Sequence, residues 1–67
     1  MRTTNQLSEK QEAFCLEYVS NNGDAVDAAR RAGYADKGNN MIQIIAALNL
    51  TNPHIIQRIK NIREYRG

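Results

Sequence analysis

Tryptophan is absent from this chain, and cysteine, histidine, proline and phenylalanine each occur once in its 67 residues. The single cysteine, Cys15, excludes an internal disulfide framework and suits a reducing compartment. One cysteine and one histidine, His54, fall short of the four ligands of a structural zinc site, so no metal is expected. No apolar run approaches the roughly 18 residues of a membrane span. The N-terminal MRTTNQ lacks the apolar core of a signal peptide. A soluble, intracellular protein without a membrane partner is expected. The four glycines, Gly23, Gly33, Gly38 and Gly67, are scattered punctuation rather than a phosphate-cradling loop. No nucleophile stands beside a base and no carboxylates pair in an apolar setting, so neither catalysis nor a cofactor is expected.

What is present is one small domain, residues 1–67, whose core can cover only about 60% of the surface the unfolded chain exposes. The net charge is +2, unevenly spread. Residues 1–29 carry two bases (Arg2, Lys10) against five acids (Glu9, Glu12, Glu17, Asp24, Asp27), and residues 30–67 carry seven bases (Arg30, Arg31, Lys37, Arg58, Lys60, Arg63, Arg66) against two acids (Asp36, Glu64). Such asymmetry suits either a face directed at a polyanion or a chance segregation of solvated charge.

Four helices are predicted, at about 9–20, 25–32, 37–49 and 53–65, with residues 1–6 flexible and no strand pattern. The fold class is all-α. Ser8 caps the first helix and Gln11 completes a capping box, while Glu9 and Glu12 suit the positive end of the dipole. Phe14, Cys15, Tyr18 and Val19 share one stripe that Ala13 and Leu16 widen, and Glu12 and Glu17 point away. Asn21-Asn22-Gly23 closes the helix, with Gly23 able to take the left-handed conformation that terminates it.

Asp24 caps the second helix, where Ala25, Ala28, Ala29 and Ala32 form a stripe that lets another helix approach closely. Gly33 ends it with a sharp turn. Asp36 caps the third helix, for which Met41, Ile44, Ile45 and Leu48, extended by Ile42, are the expected buried stripe. Asn39, Gln43, Ala46 and Ala47 form its opposite face, with Lys37 and Asn40 at the edge. Gly38 weakens the first turn, since glycine costs about 1 kcal/mol against alanine inside a helix. Asn52 caps the fourth helix and Pro53 takes its first position. Ile55, Ile59 and Ile62 form its inner stripe, with Ile56 beside them.

A short alanine-rich helix, a tight turn at Gly33-Tyr34-Ala35 and a second helix with one polar face form the pattern of a helix-turn-helix. Lys37, Asn39, Asn40 and Gln43 are then candidates for contact with double-stranded DNA, since Asn and Gln pair bidentately with adenine and Lys reaches guanine or phosphate. They are also what a solvated helix front would carry. Arg30 and Arg31 could clamp phosphate or pair with Asp27 or Asp24 on their own helix. Arg58, Lys60, Arg63 and Arg66 read as a solvated face and tail, with diffuse phosphate attraction as the alternative. Tyr34 is expected to pack over the helix junction, and His54 to be exposed.

The run LSEKQEAFCLEYVSNNGDAVDAARRAGYADK, followed by LTNPHI, resembles the N-terminal domain of bacteriophage terminase small subunits. The matching positions are Leu7, Ser8, Lys10, Gln11, Phe14, Tyr18, Ala25, Ala28, Ala32, Gly33, Tyr34, Asn52, Pro53 and Ile55. Two features depart from the family pattern. The segment from Tyr34 to Asn52 is longer than usual, and Gly38-Asn39 stands where a small Thr-Ala-type pair commonly follows the lysine. The resemblance implies a helix-turn-helix domain that recognises viral DNA for packaging in the host cytoplasm. It also implies delivery of that DNA to the terminase large subunit, the motor and nuclease, through a segment beyond Gly67, and a homo-oligomer in a full-length protein. This chain alone would be a monomer. The competing readings are a protein-interaction module, to which the seven isoleucines between Ile42 and Ile62 would suit a partner helix, and a stand-alone transcription regulator.

Overall fold

The computed structural model describes residues 7–35, 38 and 40–66. Among them are four helices and no strand: α1 (Glu9–Ser20), α2 (Ala25–Arg31), α3 (Met41–Asn49) and α4 (Pro53–Arg66). Packing runs in a chain, with α1 against both α2 and α4, and α3 chiefly against α2.

The helix ends form for local reasons. The Ser8 side chain accepts from the Gln11 backbone N–H at 3.1 Å, and the Ser8 N–H donates to the Gln11 side chain at 2.9 Å, so two otherwise orphaned donors are satisfied. At the other end Asn22, at φ +65°, takes the left-handed terminating position, and Gly23 at +87° continues the turn. Asp24 accepts from the Asp27 N–H at 3.0 Å to open α2. Gly33 at φ +100° closes it, with Tyr34 N–H donating to Ala29 O and Gly33 N–H to Arg30 O, the paired bonds of a Schellman turn. Asn52 accepts from the His54 N–H at 2.9 Å ahead of Pro53.

The core is built from Phe14 and Cys15 of α1, Ala28 and Ala29 of α2, Ile42 and Ala46 of α3, and Ile55, Ile59 and Ile62 of α4. Phe14 and Tyr18 stack at 5.8 Å between centroids. The Cys15 thiol donates to the Ile55 carbonyl at 3.8 Å, and burial pushes its pKa up to about 11. Tyr34 is half-buried over the junction, with the Lys10 ammonium 5.8 Å from its ring centre.

Helix α3 does not begin at residue 37. Gly38 at φ +82° and Asn40 at φ +59° are both left-handed, which no continuous α-helix allows, so the helix starts at Met41. The proposed cap Asp36 lies outside the described residues. The buried face of α3 is also not the one expected. Ile42, Ala46 and Asn49 turn inward, while Met41, Ile44 and Leu48 are exposed and Ile45 is only half-buried. The α2 face it meets is made of alanines, and the small Ala46 allows the approach that a bulkier Ile or Leu would block. In α1, Leu16 is 46% exposed, because about 200° of helix separates it from Phe14.

Glu12 does not point away. Its carboxylate receives the Arg58 guanidinium of α4 bidentately, Nε at 2.9 Å and Nη2 at 2.6 Å from Oε2. This pair ties α1 to α4 across 46 positions of sequence.

Candidate nucleic-acid interface

Of the residues singled out for contact with DNA, the described ones lie at the end of α2 and the start of α3. Arg30 and Arg31 occupy the last turn of α2 and are exposed, where their charge also complements the negative end of the helix dipole. Arg31 is engaged within its own helix: its Nε sits 2.6 Å from Asp27 Oδ2, with the arginine side chain 61% exposed. The Asn21 amide also donates to Asp27 Oδ2, at 3.1 Å. This hydrogen bond, followed by that from Arg31, holds the Asp27 carboxyl below its usual value. The same pairing raises the Arg31 pKa.

Asn40 is exposed at the start of α3 and makes no side-chain cap to the helix. Its carbonyl accepts from the Ile44 N–H at 3.1 Å. Gln43 is exposed three residues further along. The first turn of α3 contains no acid, so its positive pole is not offset there by a side chain of its own. Lys37 and Asn39 lie outside the described residues. Arg30, Arg31, Asn40 and Gln43 are thus brought to the two sides of one turn, all with solvent access.

The sequence reading missed what lies between them. At 100° per residue, Ile42, Ala46 and Asn49 cluster within about 60° of the helix, and Ile44 falls opposite their middle. The outward face of α3 is therefore centred on Ile44, with Leu48 and Met41 to one side and Ala47 and Gln43 to the other. The available signal was the excess of isoleucine in residues 42–62, more than one stripe per helix can bury.

The cations of α4 are differently employed. Arg58 is bound to Glu12, and the Arg63 guanidinium lies 5.7 Å above the Tyr18 ring. Tyr18, Leu50, Ile56, Ile59, Lys60 and Arg63 line a shallow groove of about 380 Å³ beside the α1–α4 seam. Among the described residues no cluster of His, Cys, Asp or Glu could hold a metal ion, and no helix is long and apolar enough to cross a membrane.

These observations define a small all-α domain whose α2–turn–α3 segment is consistent with a helix-turn-helix. A family model described as terminase small subunit matches residues 7–66. The chain belongs to the terminase small subunit family. No curated protein and no solved structure matches it.

Proposed function

We propose that this domain recognises duplex DNA during phage genome packaging, with α3 laid in the major groove and the C-terminal end of α2 against the backbone. The observation that carries this is the placement of α3. It packs one face on α2 and turns the other, Gln43 included, to solvent, while Arg30 and Arg31 are exposed in the last turn of α2. Phosphate contacts from the arginines fix orientation, and Asn39, Asn40 and Gln43 are the polar groups suited to base edges. Lys37 is a further candidate for phosphate or guanine by its residue type alone. Family membership supports the packaging role and a non-catalytic subunit that hands DNA to the terminase large subunit, in the host cytoplasm.

A single copy neutralises few phosphates, so its binding is weak and strongly salt-dependent, and a homo-oligomer supplies avidity. The test is a titration of isotope-labelled protein with duplex DNA at low salt. Amide shifts confined to residues 30–43 are expected, and their absence would reject the interface. Arg31→Glu combined with Lys37→Glu should abolish the shifts without unfolding the domain.

The exposed Ile56 and the groove beside it favour a second reading, a protein-interaction role for α4. Sedimentation separates the two: tight self-association indifferent to DNA would support the interaction module.

A further inference from the structure

The outward face of α3 is unusual for a helix assigned to a DNA groove. None of the residues from Met41 to Asn49 is charged. Three of its large apolar side chains are exposed, Ile44 at 51%, Leu48 at 62% and Met41 at 43%. Small monomeric domains rarely leave a contiguous patch of this kind without a partner for it.

The major groove offers one apolar feature, the thymine 5-methyl group, and otherwise displays hydrogen-bond donors and acceptors. From Met41 to Leu48 the helix rises about 10.5 Å, close to three base-pair steps of about 3.4 Å. The groove, about 12 Å wide, admits a helix with side chains of this size. The surroundings suit a polyanion rather than an apolar protein surface. Arg30 and Arg31 are exposed in the last turn of α2, the helix on which α3 packs, and α3 itself carries no acid.

We propose that the Met41–Ile44–Leu48 face of α3 reads thymine methyl groups, and that this domain consequently prefers A·T-rich duplex DNA. The inference rests on the DNA-binding reading above and specifies what that interface selects. Ile44, at the centre of the face, is the principal specificity-determining residue. Met41 and Leu48 extend the contact along the groove. Gln43 at the edge complements it, because a glutamine amide pairs bidentately with the adenine opposite each thymine.

The experiment compares an A·T-rich duplex with the same duplex carrying uracil at every thymine, at low salt, for the wild-type chain and for Ile44→Ala. Uracil removes only the methyl and keeps the hydrogen-bonding pattern. The wild type should favour the thymine duplex by about four-fold for each methyl it covers. Ile44→Ala should lose most of the preference for the thymine duplex, whatever its affinity for the uracil one. The substitution lies on an exposed position and alanine is the best helix former, so circular dichroism should report an unchanged fold. Equal wild-type affinity for both duplexes, or an undiminished preference in Ile44→Ala, would overturn the inference and leave DNA binding standing. Failure to bind either duplex would instead reject the DNA-binding reading. Self-association that Ile44→Ala abolishes, with no difference between the duplexes, would assign the face to a second copy and overturn the inference.

Discussion

At the scale of single residues, the Asp27–Arg31 pair sets two demands against each other. Asp27 receives the Asn21 amide and the Arg31 guanidinium, and so helps hold the α1–α2 corner, but it also occupies the arginine that phosphate would take. Asp27→Asn should therefore act in opposite directions on two measurements. DNA affinity at low salt should rise by about two- to five-fold, the range of an exposed ion pair, because Arg31 is released and a repelling carboxylate is lost. Thermal stability should fall. The pH dependence has a fixed sign. The folded carboxyl titrates below its unfolded value of 3.8, so its stabilising contribution is complete above that value and disappears as the pH drops through the folded one. Acid unfolding curves of Asp27→Asn should lack this component and be flatter below about pH 4. The pairing itself was one of the alternatives legible in the sequence, since residues four apart meet on a helix face.

At the scale of elements, the turn between α2 and α3 depends on backbone conformations that the sequence only partly announces. Gly33 at φ +100° has nothing within 4 Å of where a Cβ would stand, so Gly33→Ala tests conformation alone. It should cost about 1–2 kcal/mol in chemical denaturation. Asn40 also adopts a left-handed conformation, at φ +59°, without a side-chain bond to the helix. Asn40→Gly should leave stability unchanged or raise it by up to about 1 kcal/mol while weakening DNA binding, which separates its conformational role from its proposed contact. The helices themselves were legible because capping residues flank them: Ser8 with Gln11, Asp24, Gly33, and Asn52 with Pro53. The start and rotation of α3 were not. Its residues from Met41 to Leu48 are apolar except for Gln43, so more than one stripe satisfies a 3.6-residue period. The choice was made by the alanine surface of α2, which accepts Ala46 and Ile42 rather than Ile44 and Leu48.

At the scale of the whole molecule, a long-range ion pair, Arg58 with Glu12, helps close the fold. No local pattern could have indicated it, because each charge looks like ordinary surface polarity until α1 and α4 are brought together. A double-mutant cycle with Glu12→Ala and Arg58→Ala should give a coupling of about 1 kcal/mol, the upper end for a pair that water still reaches. A coupling near zero would mean that the apolar contacts of Ile55, Ile59 and Phe14 align the helices without it. The order of packing, α3 on α2, α2 on α1, α1 on α4, has a consequence for kinetics. The helix assigned to the groove is the outermost leaf, held mainly by one short neighbour, so it can peel away while the clasped remainder stays folded. The lifetime of a complex formed through it would then follow the opening of that leaf rather than the melting of the domain.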